Sequence, residues 1–228
     1  MRRLGFWNAV YTVLSKDFRT ELRSKQTLVT MLFFGFVLVF VFAFGFVSDA
    51  TANRRAYPGA LWGALLFTGS LCVGRTFARE AEADAFSALM LAPVDRSAVL
   101  LAKMLFNALL IILVMALVAP VLAMMLRVDI VAHGGMIATL IMLGSAGFSV
   151  IGTPMAVLAV NARFAEVLLP MVVFPMVTPV IIAGVKGTGV LLGTTIGDDV
   201  SPWIQFLGAY VLCFGLAGVF LFDRMVTE

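Results

Sequence analysis

Few side chains in this sequence can do chemistry, and their spacing limits what they can do. The 228 residues hold one histidine, His133, and two cysteines, Cys72 and Cys213. His133 falls at the outer end of an apolar stretch. A lone interfacial imidazole is ordinarily just solvated. Cys72 and Cys213 lie inside apolar runs with no CxxC or zinc spacing, and they read as small buried hydrophobes rather than a disulfide. Glu80, Glu82 and Asp84 cluster without a histidine or further ligand, so no metal site is expected from them. The run Gly184-Val185-Lys186-Gly187-Thr188-Gly189 glances at a phosphate loop. A true one needs Lys followed directly by Ser or Thr, opening a helix after a strand, and neither condition is met. An intramembrane enzyme would need Ser/Lys, paired Asp or a His-rich cluster at depth, and the sequence offers none. No catalytic site, no metal site and no directly bound cofactor are read here.

The elements that position these residues are dictated by composition. The chain is 62% hydrophobic and 13% charged, against roughly a quarter charged in soluble domains. So few charges cannot cover a water-facing surface, and much of the chain must be solvated by lipid. The net charge of +3 is too small and too spread for nucleic acid. Six uncharged stretches occur, at 27–47, 56–74, 104–126, 130–162, 167–185 and 200–222. Five match the roughly 20 residues that cross a hydrocarbon core of ~30 Å. The fourth, with 33 residues, is too long. It predicts a span over about 136–151, a break or kink at Gly152-Thr153-Pro154, and a continuation toward the cytoplasmic surface; two half-spans are the alternative.

Cation placement orients the chain. With the N-terminus inside, twelve of the sixteen Lys and Arg are cytoplasmic, leaving only Arg54, Arg55, Arg127 and Lys186 outside. Both termini are then cytoplasmic and 186–202 is a long outer connection. The predicted fold is an all-α membrane protein, a single transmembrane domain over 1–228 with six spans. Within it, residues 1–26 precede the first span as a polar, basic segment without the features of a cleaved signal peptide. Within them Trp7, Val10, Tyr11, Leu14, Phe18 and Leu22 recur at helical steps, with Lys16, Asp17, Arg19, Thr20 and Arg23 opposite. That pattern predicts an amphipathic helix in the interface plane of the bilayer.

The spans carry few distinctive residues. Asn107 is the one strong hydrogen-bonding amide at depth, facing either the bundle or a second copy. Phe33, Phe34, Phe36, Phe40, Phe42, Phe44 and Phe46 surround the first span, which argues packing and lipid contact. Gly152 and Pro154 in the fourth span, with Pro170, Pro175 and Pro179 in the fifth, are candidate gate or kink positions; a statically bent helix is the competing reading. No carboxylate or lysine lies inside a span, which disfavours ion-coupled carriage.

The long inner connection, 75–97, is alanine-rich and helix-favouring, acidic at Glu80, Glu82 and Asp84 and apolar at Phe86, Leu89 and Met90, and it stops at Pro93. Asp95 or Ser97 then offers an N-cap for a helix running through Lys103, which is expected to snorkel at the interface. A short helix tied at both ends to spans can pass force from a soluble partner.

The order R-x-F-x-x-E, L-M-L-x-P, A-V-x-L-A-K, carried by Arg75, Phe77, Glu80, Leu89, Met90, Leu91, Pro93, Ala98, Val99, Leu101, Ala102 and Lys103, resembles the haem exporter protein B (CcmB) family. The likeness extends over nearly the whole chain, through Gly144, Gly147 and Gly152 and the proline-bearing fifth span. It implies an ABC-2 (type V exporter-like) permease of the bacterial inner membrane, in cytochrome c maturation. Two copies would pair with two copies of a cytoplasmic ABC ATPase, which alone would handle ATP. Arg79, Glu80, Glu82, Asp84, Phe86, Leu89, Met90 and Pro93 would form the coupling segment. The resemblance also implies haem-handling membrane partners and haem as the handled ligand, for which His133, matching no family motif, is a weak candidate. The W-G-x-W-D signature of such a partner is missing, since Trp7, Trp62 and Trp203 stand far apart. A non-transporting scaffold of the same kind of complex, or an exporter permease for another hydrophobic substrate, would read alike.

Overall fold

The structure, a computed structural model, describes residues 5–46, 49–82, 95–159, 165–197 and 199–225. Helices account for nearly all of them. An N-terminal helix, α1 (Phe6–Ser24), is followed by α2 (Gln26–Phe46), α3 (Ala50–Glu82), α4 (Arg96–Leu126), α5 (Gly134–Ala159), α6 (Ala165–Leu191) and α7 (Ser201–Met225). The helices α2 to α7 are each long and apolar enough to cross a membrane, so the chain is a multi-pass membrane protein with the six spans expected.

Helix boundaries differ from the apolar runs because hydrogen bonding, not hydropathy, ends a helix. The second run was predicted to begin at Ala56, yet α3 starts six residues earlier, where the Asp49 carboxylate accepts the Ala52 N–H at 2.6 Å. Arg54 and Arg55 therefore lie inside the helix and not in a loop. At its other end α3 continues to Glu82, so its 33 residues make a rod of about 50 Å.

Of the break or kink expected at Gly152-Thr153-Pro154, the break is absent. The long fourth run divides instead into a 3₁₀ turn, Val131–His133, and the 26 residues of α5, helical through Pro154. A helix of that length, about 39 Å, needs no break to fit a membrane. The position tolerates proline because neighbours enclose it: Gly152 abuts Val73, Thr153 is hydrogen-bonded across the bundle, and Gly218 of α7 lies beside the Pro154 ring. Likewise α6 is unbroken through Pro170, Pro175 and Pro179 and continues to Leu191, so the outer connection after it is shorter than predicted.

The core lies among α2 to α7 and centres on α3, α4 and α5. On α2 Thr27, Met31, Gly35, Val39 and Ala43 are buried, one residue per turn. Phe33, Phe34, Phe40 and Phe44 are exposed outward, as lipid contact requires. Trp62 of α3 fills the centre. It is fully buried, and its indole lies against the backbones of two helices at once. A Cβ on Gly144 of α5 would fall 2.3 Å from the ring, and one on Gly184 of α6 only 2.1 Å. Only glycine admits the indole at these two points. Its Nε1 donates to Thr188 Oγ1 at 3.0 Å, so the buried indole N–H is satisfied. The glycine and lysine run 184–189 is thus part of α6, shaped by packing and not by phosphate.

Candidate functional site

The chemically distinctive region is the end of the bundle where α1 meets the starts of α2 and α4. Its first component is a corner. After Ser24 the chain turns at Lys25, whose φ of 53° is left-handed, and α2 begins at the next residue. Glu21 braces both sides of that turn. Its backbone carbonyl accepts the Lys25 N–H at 2.6 Å, and its buried carboxylate accepts the Leu28 N–H at 2.8 Å. The carboxylate satisfies an N–H of the first turn of α2, which has no partner within its own helix, and it opposes the positive end of that helix's dipole.

The second component joins α1 to α4. Ala9, Val10 and Val13 pack on Ala98, Val99 and Ala102, small residues that let the two helices approach closely. One turn further along, Phe18 meets Phe106 edge to face with centroids 5.2 Å apart. Between these contacts Lys103 Nζ donates to Asp17 Oδ2 at 2.9 Å, with Lys103 only 3% and Asp17 9% exposed. Lys16 adds a more exposed contact to the same carboxylate at 3.0 Å.

Four expectations are corrected here. Lys103 does not snorkel, because an aspartate brought by α1 meets it inside the fold. Asp17 does not belong to an outer polar face; it joins Val13 and Glu21 at four-residue steps on the buried side. The predicted apolar stripe is split. Val10, Leu14 and Phe18 turn toward the bundle, while Trp7, Tyr11 and Leu22 are exposed, Trp7 to 73%. A helix wedged between protein and lipid needs an apolar edge toward each. The inference that spans carry no charge also fails, since Lys103 lies within the apolar span Ser97–Leu126.

A polar seam begins one turn deeper. Asn107 is fully buried within the bundle, so this surface is not available to a second copy. Its Nδ2 donates to Thr153 Oγ1 at 3.1 Å, and the Cys72 thiol approaches its Oδ1 at 3.6 Å. Ser149 donates to the Met104 carbonyl at 2.6 Å and lies 3.3 Å from Thr153 Oγ1. The seam ties α3, α4 and α5 at one level. Replacing Asn107 with leucine should lower stability by about 1 kcal/mol, the typical size of such bonds in membranes. Unfolding in detergent would measure it, and an unchanged midpoint would leave the seam without weight.

The other predicted positions fall as follows. Arg79, Glu80 and Glu82 lie on the last turns of α3, where only the helical path is described. Asp84, Phe86, Leu89, Met90 and Pro93 lie outside the described residues. Asp95 precedes α4 as its N-cap residue but makes no side-chain cap bond, and Ser97 bonds instead to the Val219 carbonyl of α7 at 3.4 Å. His133 is exposed in the 3₁₀ turn at the opposite end of the bundle. Among the described residues no group of three metal-ligating side chains converges. Sequence reasoning missed Asp17 and Glu21, though the four-residue rhythm Val13-Asp17-Glu21 signals one helix face.

The profile of the CcmB protein family matches residues 8–224, nearly the whole chain. The chain belongs to the CcmB family. Among its relatives, a heme exporter protein B from Rhodobacter capsulatus is 29% identical over 174 residues, 76% of this chain and 79% of the relative. One from Paracoccus denitrificans is 28% identical over 200 residues, covering 88% and 90%. One from Haemophilus influenzae is 26% identical over 170 residues, covering 75% and 76%. The CcmB match takes in α2 to α7 and all but the first residues of α1, so the ionic clamp and the corner lie inside the shared region.

Proposed function

We propose that this chain is the permease subunit of an ABC transporter complex for haem export in the bacterial inner membrane, driven by a separate cytoplasmic ATPase. The observation that carries the reading is the unbroken α3 rod. At about 50 Å it exceeds a ~30 Å hydrocarbon core, so it projects beyond the membrane into the segment toward Pro93. A push on that segment acts on α3 directly. It acts on α4 as well, whose first turns are clamped to α1 through Lys103 and Asp17. Both helices reach the Asn107 seam, so a displacement below is felt at depth.

The rest of the proposal is read from the family. Two copies pair with two ATPase subunits, and Glu80, Glu82, Asp84, Phe86, Leu89, Met90 and Pro93 form the docking segment with Arg79; cytoplasmic termini rest instead on the placement of Lys and Arg. Haem-handling membrane partners complete the complex, and haem loaded onto a chaperone outside is its product. His133, at the far end from α1, would lie on that outer side.

A tagged chain purified from membranes should bring down an ABC ATPase. Glu80→Lys and Leu89→Asp should each reduce membrane ATPase activity to the level of membranes lacking the chain, while the protein still inserts. Undiminished activity in both variants, or no co-purifying ATPase, would refute the coupling.

A further inference from the structure

We infer that the end of the bundle away from α1 carries a binding site for the phosphate of an anionic phospholipid. A cavity of about 420 Å³ opens there between the start of α3, the end of α4 and the turn after α6, and Arg54, Arg55 and Arg127 line it. Asp129 is the one carboxylate in the lining, and its Oδ1 already accepts the Val131 N–H at 2.9 Å. Among the described residues none of the three guanidiniums has a carboxylate within ion-pair distance. Three guanidiniums against one carboxylate leave the lining net positive, and Ala50 and Thr51 of the first turn of α3, whose Ala52 N–H is held by Asp49, complete the wall. Guanidinium forks match phosphate oxygens two at a time.

Arg127 supplies an independent sign. It occupies the residue after α4 with a φ of 53°. Its N–H bonds the Met124 carbonyl and the Val128 N–H bonds the Ala123 carbonyl, the Schellman pattern that glycine normally completes. An L-residue is strained in that conformation, so the position is worse for folding with arginine than with glycine. The side chain at this place is explained by what it binds.

Depth selects a lipid over a dissolved anion. Arg127 directly follows the last residue of the span Ser97–Leu126, which sets the cavity at the level of the headgroups. The neighbouring end of α2 exposes Val41 and Phe44, the latter to 83%, as a surface for an acyl chain.

The test uses the full-length protein in detergent, titrated with dioleoyl phosphatidylglycerol, dioleoyl phosphatidylcholine or inorganic phosphate, with bound lipid counted by native mass spectrometry and unfolding followed thermally. Wild type should retain and be stabilised by phosphatidylglycerol over phosphatidylcholine. Arg127→Gly should weaken that preference about fivefold without lowering stability in the absence of lipid, because the cap then has its favoured residue. Arg54→Gln/Arg55→Gln should do the same from the other wall. An unchanged phosphatidylglycerol preference in both variants overturns the site. Inorganic phosphate stabilising the wild type as well as the lipid does, with the same loss in the variants, overturns the lipid as its occupant.

Discussion

Asp17→Leu should destabilise the fold by about 3–5 kcal/mol, because it removes the carboxylate at 2.9 Å from the buried Lys103 ammonium. Coulomb attraction alone does not give this figure. Bringing an ammonium out of water costs several kcal/mol, which the carboxylate at 2.9 Å offsets only while it is present. The partner substitution should be milder. In Lys103→Met the Asp17 carboxylate keeps the half-exposed Lys16 at 3.0 Å, so its charge retains a counterion with access to water. The double variant Asp17→Leu/Lys103→Met should regain most of the loss, since two apolar side chains can occupy the space without desolvating a charge. Unfolding in detergent, read as a double-mutant cycle, decides the matter. An Asp17→Leu cost below about 1 kcal/mol, or a double variant as unstable as the worse single one, would show that the pair is too well hydrated to matter. If the double variant is stable yet ATPase activity falls, the ion pair serves the motion of α1 with α4 rather than the fold.

Trp62→Ala should cost a similar amount, about 3–5 kcal/mol, by emptying the slot between α5 and α6 and leaving the Thr188 hydroxyl unpartnered. The two glycines make the sharper check. Gly184→Ala places a methyl 2.1 Å from the indole, and the rigid ring cannot yield without moving α3 or α6, a cost of about 1–3 kcal/mol. In the Trp62→Ala background the same methyl enters vacant space and should be neutral or favourable. A sign change between the two backgrounds is the expected result. Equal, additive penalties would mean that Gly184 serves backbone freedom and not the indole.

The six spans were legible because the membrane demands long apolar segments, and those can be counted. Their ends were not. Hydropathy stops at Arg54 and Arg55, whereas α3 runs on past them to its carboxylate cap at Asp49, since charge at a span's edge is no obstacle to a helix. Pro154 reads as a breaker in isolation, but contacts from three neighbouring helices decide its fate, and such contacts are tertiary. Lys103 was misplaced for the same reason: a lysine near a span's end usually reaches for water, and only α1, more than 80 residues earlier in the chain, supplies the alternative. For Asn107 the sequence left the bundle and a second copy as alternatives, and only tertiary contacts place the amide within the bundle. The coupling residues beyond Glu82 rest on sequence pattern alone.

The Trp62 slot also fixes an order of events during synthesis. Span α3 leaves the ribosome long before Gly144 and, still later, Gly184, and its hydrogen-bonding partner is 126 residues downstream. Until α6 has been made and inserted, the indole has no cavity to enter and must face lipid or a membrane chaperone. The closing of the Trp62 slot is therefore postponed to the last third of translation, and a chain truncated before α6 would keep the contacts among α3, α4 and α5 with one wall of that slot missing.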